Sequence, residues 1–332
     1  MPRSTMLAAR LYGTGDIRLE REPVPQAGPG QTLVRVSAVG ICGSDLHWWD
    51  EAGIGDARLG HPLVLGHEIA GVIAGGPSRG RRVAIDPAIP CEHCAQCHRG
   101  QRNLCPRVKF AGHGDTDGGL REFLAWPTEL LHELPESLSD ADGALLEPLG
   151  VALHALDLGH PRLGGSAAVI GCGPIGLILI QLLLAAGADP VIAADPLPHR
   201  LEAAVNLGAD QGGPHDRLVL AGVDTAFEVA GTDEAVDAAI DAAKPGGRVV
   251  LVGIPGGDRT SFRASAARRK GLTIALSRRM NDAYPRAIAL AAAGVVDLGA
   301  VVSHGMPLTE TAGAFGTAAR RDGLKVIVEP RQ

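Results

Sequence analysis

No run of more than three basic residues occurs in this 332-residue chain, and its formal net charge is −6. That balance excludes a nucleic-acid or anionic-membrane surface as the expected partner. The first residues, MPRSTMLAARLYGTGD, contain no apolar core of the kind a secretory leader needs, so the expected compartment is the cytoplasm. Internal repeats and low-complexity stretches are lacking too, which argues against a solenoid or a tail. Aromatic residues are only 3%. One segment, 164–188, has no charge and reads as membrane-length by hydropathy. Gly171, Gly173, Pro174 and Gly176 interrupt it, and a strand, turn and helix account for it better.

What is present is apolar bulk and cysteine in a pattern. Hydrophobic residues are 45% and charged residues 20%, enough for real cores, and the length suits about two domains. Glycine is abundant at 45 residues, which suits tight turns and close backbone approach. Four of the six cysteines fall at Cys91, Cys94, Cys97 and Cys105, a C-x2-C-x2-C-x7-C cluster. In a cytosolic chain such spacing means metal before disulfide. Four thiolates can converge on one tetrahedral zinc at about 2.3 Å per sulfur. The rival is an iron–sulfur cluster, whose C-x2-C-x2-C-x3-C-P run Cys105-Pro106 echoes; the last gap of seven does not fit it. His93 and His98 are expected to be exposed loop residues, because the thiolates already fill the site.

The first 145 residues alternate in short runs such as 33–39, with further strands expected at 63–65, 69–73 and 83–85. They predict an irregular, mostly β domain. After Gly164-Gly165 the pattern changes. Strands are expected at 167–170, 191–194, 224–229, 248–252 and 273–276, with helices at 174–186, 198–207 and 234–243. Such alternation predicts a parallel sheet covered on both faces. An Ala-rich helix is expected past Tyr284-Pro285, then a helix with Leu308, Ala312, Phe315 and Ala319 on one face, and a last strand over 324–328. Periodicity does not say which domain this tail joins.

Gly171-Cys172-Gly173-Pro174-Ile175-Gly176 fits G-x-G-x-x-G. It follows an expected strand, opens an expected helix, and Asp195 stands at the end of the next strand, which is the context the motif requires. Glycines let the backbone approach a pyrophosphate, and the helix start offers free N–H groups. Asp195 would accept the ribose hydroxyls and repel a 2′-phosphate, favouring NAD over NADP. Arg200 could reach the adenine side, and Cys172 is expected to be a small apolar filler. Upstream, Cys42 stands in Gly40-Ile41-Cys42-Gly43-Ser44-Asp45-Leu46-His47, and His67-Glu68 follows Gly66. One thiolate, one imidazole and one carboxylate make a zinc site that can keep a position open and acidify a hydroxyl there.

Taken together, these residues resemble the zinc-dependent medium-chain dehydrogenase/reductase family over nearly the whole chain. Within it the chain is most similar to the sorbitol (polyol) dehydrogenase branch. Gly53-Ile54-Gly55 ahead of His61–Glu68, Asn103-Leu104-Cys105-Pro106 and Leu145-Leu146-Glu147-Pro148-Leu149 carry that likeness. The resemblance implies an α/β protein: a GroES-like catalytic domain over 1–147 and 285–332, with a Rossmann domain over 148–284 inserted. It implies one catalytic zinc on Cys42, His67 and Glu68 and one structural zinc on the four-cysteine lobe. Glu147 would hold the zinc-bound water or exchange with Glu68. Ser44 and His47 match the family's proton relay, and Val252, Gly253 and Ile254 its nicotinamide-side contact. Trp48 and Phe110 could line the substrate pocket. Arg279 matches a substrate-side arginine, although Trp48 replaces the usual Tyr and Met280 follows Arg279 where the branch has Tyr. The implied activity is NAD-dependent oxidation of a secondary hydroxyl of a polyol, of the sorbitol, iditol or xylitol kind, to a ketone by hydride transfer, by a homodimer or homotetramer. L-threonine and amino-cyclitols remain alternative substrates, and a non-catalytic NAD-binding zinc protein is the reading from another class.

Overall fold

The computed structural model describes residues 4–213 and 222–330. These divide into two compact units. One comprises the chain up to Glu147 with Tyr284–Ala292 and the tail from Leu298; the other comprises Pro148–Ala283 with Ala293–Asp297.

The first unit is built on strands. A hairpin of Thr5–Gly13 and Asp16–Pro23 pairs with Leu63–Val64. The main sheet has seven strands. Its order runs Leu131–Glu133, Arg82–Ile85, Glu68–Ile73, Gln31–Gly40, Lys325–Glu329 and Val302–Pro307, with Phe123–Pro127 also paired to Gln31–Gly40. The C-terminal strand therefore lies against the first long strand, with Ile327 opposite Gly40. Gln31–Gly40 is buried almost throughout its second half, as a central strand covered on both faces should be. The core gathers Val34, Val36, Ile69, Ile85, Leu124 and Phe315.

The second unit is a six-stranded, wholly parallel sheet. Its order is Asp210–Gly213, Val191–Ala194, Ala167–Ile170, Val223–Glu228, Ala243–Leu251, Thr273–Leu276. The chain winds outward one way from Ala167–Ile170 and then the other, so the order reverses between that strand and Val223–Glu228. This is the doubly wound topology, with its ligand crevice at the switch. The helix Pro174–Ala185 is apolar on nearly every side because Gly176 to Leu183 are all buried. Its one polar residue, Gln181, bonds both ways with the backbone of Asp297, at 3.2 and 2.7 Å. That pair explains why Ala293–Asp297 groups with this unit.

Among the elements that the sequence expectation did not include or placed differently, two bear on packing. The last helix, Thr311–Arg320, buries Thr311, Ala314 and Phe315, while Ala312 is exposed. The expected face through Ala312 and Ala319 is therefore rotated by about one residue. Leu308 is buried as expected but belongs to a separate 3-10 turn, so the helical period does not run back to it. A twenty-residue helix, Asp140–Gly159, was not expected. It starts at a reciprocal cap, in which Ser139 Oγ accepts the Asp142 amide at 3.0 Å and Asp142 accepts the Ser139 amide at 2.8 Å. Pro148 inside the run hid it. No helix among the described residues is long and apolar enough to cross a membrane.

Candidate active site

Cys42 ends the turn after Gln31–Gly40 and is the N-cap of the helix Gly43–Glu51, in extended backbone. Asp45, three residues on, is fully buried and turns back. One oxygen, Oδ2, accepts the Cys42 amide at 2.9 Å; the other, Oδ1, accepts the Gly66 amide at 3.2 Å and stands 3.4 Å from His67 Nδ1. One carboxylate thus ties the thiol-bearing turn to the imidazole-bearing segment just ahead of the strand Glu68–Ile73. A carboxylate on one ring nitrogen is the usual outer partner of a metal-bound imidazole. Burial opposes charge on His67, but Asp45 and Cys42 hold its pKa well above the ordinary value.

Ligand atoms of Cys42, His67 and Glu68 all lie within 4.8 Å of one another. Glu68 has room because the residue facing it in the sheet is Gly40, where any Cβ would run into the Glu68 carboxylate. A second residue, Lys325, shares the space. Its Nζ donates to Glu68 Oε1 at 2.7 Å, to Oε2 at 2.9 Å and to Ile41 O at 3.0 Å, and it is 4% exposed. Glu147 is also buried, and burial raises its pKa to about 7. The donor set of thiol, imidazole and carboxylate fits zinc with a position left for another ligand.

Around these groups, Phe110 is 5.3 Å from His67, ring centre to ring centre, and His113 is 5.5 Å from it. Trp48 meets His113 edge-on at 5.8 Å but is wholly buried in the core. Ser44 is buried on the first turn of its helix. His47, one turn further, is partly exposed and holds Glu51 at 3.1 Å.

The four-cysteine lobe is a separate cluster. Its sulfurs also lie within 4.8 Å of one another, and Cys94 and Cys97 are 3.5 Å apart. Zinc–sulfur bonds of about 2.3 Å imply sulfur–sulfur edges of about 3.8 Å, so a tetrahedral ion fits. All four thiols are free of disulfides. Hydrogen bonding, first from the His93 amide, pushes the Cys91 thiol down to about 6. His93 and His98 are exposed.

In the second unit the Gly171 loop has the form a dinucleotide needs. Gly171 has φ 104°, and a Cβ there would lie 2.9 Å from the Ala230 amide nitrogen. A Cβ on Gly176 would strike the Gly171 carbonyl. Gly173 caps the helix Pro174–Ala185, and the space beside it is open apart from Arg200, whose Nη1 would be 3.7 Å from a Cβ. Asp195 is buried beneath the loop. It accepts the Cys172 amide at 2.8 Å and the Leu197 amide at 2.8 Å. Cys172 is fully buried, and burial pushes its thiol up to about 12. Val252 and Gly253 are half-buried past the fifth strand, Ile254 is exposed, and Arg279 takes a left-handed φ of 54°.

Residues 28–136 match the alcohol dehydrogenase GroES-like domain, and residues 174–293 match the zinc-binding dehydrogenase domain. Sorbitol dehydrogenase of Bacillus subtilis (strain 168) is 33% identical over 345 residues, covering 98% of each chain. The chain belongs to the zinc-dependent medium-chain dehydrogenase family. Two solved relatives share the fold of this dehydrogenase. A zinc-binding dehydrogenase structure from Sinorhizobium meliloti 1021, bound to NADP, is 31% identical with TM-score 0.90, covering 99% of this chain and 100% of that one. L-idonate 5-dehydrogenase from Escherichia coli is 27% identical with TM-score 0.91, covering 98% of each. This dehydrogenase is accordingly an oxidoreductase of alcohols or polyols, with zinc and a nicotinamide dinucleotide as its cofactors.

Asp45 and Lys325 escaped the sequence reading. Asp45 had a local signal, an acidic residue three past the Cys42 N-cap. Lys325 had a weaker one, a single charge opening the apolar strand Lys325–Glu329.

Proposed function

We propose that this dehydrogenase oxidises a secondary hydroxyl of a polyol to a ketone, with NAD as hydride acceptor. The observation that carries the reading is the convergence of Cys42, His67 and Glu68 within 4.8 Å, braced by Asp45. When bound there, zinc supplies Lewis acidity toward a substrate hydroxyl. The protein's own residues do the rest. Asp45 orients Cys42 and His67. Lys325 neutralises Glu68, Asp45 adds a buried negative charge beside His67, and buried Glu147 is a further carboxylate near enough to feel both His67 and Glu68. Ser44, buried, and His47, at the surface one turn away, make a route for the hydroxyl proton to water. Phe110 beside His67 offers an apolar wall to the substrate carbon chain.

NAD is preferred over NADP in this reading because the Asp195 carboxylate closes the place where a 2′-phosphate would sit. The Gly171 loop carries the pyrophosphate, with Arg200 alongside and Val252–Ile254 on the nicotinamide side. We take the enzyme to be a cytoplasmic homo-oligomer, to be checked by sedimentation.

The test is zinc content per chain, then NAD and NADP reduction across sorbitol, xylitol, L-threonine and an amino-cyclitol. Two zincs with NAD reduction on polyols is expected; turnover of L-threonine alone would overturn the substrate reading. Asp195→Ala should weaken NAD and relax discrimination against NADP by about 10-fold or more. An unchanged cofactor ratio would show that the ribose is held elsewhere.

A further inference from the structure

Glu228 is a fully buried carboxylate that the proposed chemistry does not use. It ends the strand Val223–Glu228, at the point where the sheet order reverses, and lies opposite Ile170 on the strand that leads into the Gly171 loop. Its side-chain Oε1 accepts the Ala230 amide at 2.7 Å and the Gly231 amide at 2.5 Å. Its backbone carbonyl accepts the Val252 amide at 2.8 Å and the Gly253 amide at 3.2 Å. The other carboxylate oxygen is 2.9 Å from where a Gly253 Cβ would be. One residue therefore fastens the loops that follow two neighbouring strands.

Those loops are packed without slack. A Cβ on Gly253 would strike the Gly231 amide, and one on Gly231 would strike the Ile254 carbonyl. On the other side, Val229 N donates to Ile170 O at 2.8 Å, and Gly171 leans on Ala230. The segment 229–231 is thus wedged between the Gly171 loop and the 252–254 loop. Burying a charge costs free energy unless it is hydrogen-bonded, and here main-chain amides satisfy it. Burial raises the Glu228 pKa, while the amides of Gly231, Ala230, Gly253 and Thr232 work against that shift.

We propose that Glu228 is a positioning residue for the dinucleotide: its carboxylate fixes 229–231 and 252–254 at the spacing the cofactor needs. The inference rests on the dinucleotide reading of this unit and assigns a residue to it. Its test is NADH binding by fluorescence titration, with melting temperature and zinc content measured on the same samples. Glu228→Gln keeps one acceptor oxygen and loses the charge. It should weaken NADH about 5-fold, and Glu228→Ala about 30-fold, with zinc content unchanged. KM for NAD should rise more than kcat falls. Gly253→Ala, which crowds the same loops and the Glu228 carboxylate while leaving its charge in place, should weaken NADH as well. It carries the test, together with Glu228→Gln, should Glu228→Ala not fold. A folded Glu228→Gln with lowered melting temperature but NADH affinity within 2-fold of wild type would assign Glu228 to stability alone and overturn the proposal. Failure of the wild-type protein to bind NADH would overturn the dinucleotide reading along with it.

Discussion

The two thiol-bearing sites of the first unit are assembled in opposite ways. The four-cysteine lobe is local. Cys91, Cys94, Cys97 and Cys105 span fifteen positions, the short helix Ala95–His98 turns two of them together, and the Cys94 sulfur even caps that helix. The Cys42 site is dispersed. Its parts come from a turn after one strand, the start of another, a long helix and the last strand of the chain. A local cage of four soft ligands is closed and structural. A dispersed site can hold three ligands and keep a position for substrate, because each group is placed by a different element. The comparison teaches that closure follows from chain proximity and openness from tertiary placement.

Removing a ligand from each site should separate the two roles. Cys42→Ala should lower kcat by at least about 1,000-fold, since the metal's polarising role has no substitute. NADH should still bind, and metal analysis should find the lobe zinc retained. Persistent turnover would contradict the assignment. Lys325→Met tests the dispersed site through its partner. It leaves Glu68 buried and unpaired in the metal-free protein, and should cost on the order of 4 kcal/mol by denaturant unfolding of apoprotein. Zinc should recover part of that loss by taking over the carboxylate; an equal loss with and without zinc would break the idea that the two cations share Glu68. Cys97→Ser should cost less, about 3 kcal/mol. It should empty the lobe while leaving residual activity per folded molecule near wild type, and loss of both zincs together would deny that the sites are independent. The smallest effect is kinetic. Under a chelator, activity should disappear before the melting temperature falls, because the open site exchanges its ion faster than the four-thiolate cage. The reverse order would invert the comparison.

Much of this was legible from residues alone. The lobe declared itself by spacing, since ligands within fifteen positions meet whatever the rest of the chain does. The Gly171 loop did so too, because a strand, three glycines, a helix start and an acidic strand end form one continuous local unit. The parallel sheet followed from alternation, with strands at 167–170, 191–194 and 273–276 ending where periodicity put them. The long helix Asp140–Gly159 was missed because Pro148 reads as a stop, yet the helix tolerates it. The face of the last helix slipped because small residues such as Ala312 and Ala319 give a weak period. Asp45 was passed over because it shares no ligand type with the obvious thiols.

By itself the sequence determined which groups this protein possesses: seven ligand residues in two patterns, and a phosphate-ready turn. Chain distance limits what sequence can say about pairing. Lys325 and Glu68 lie 257 positions apart, and no period or motif links them. Only the tertiary structure decided that this lysine, Gly40 and Asp45 surround the Cys42 site. Sheet register set Gly40 opposite Glu68, and burial is met there by pairing: Lys325 with Glu68, and Asp45 with the Cys42 and Gly66 amides.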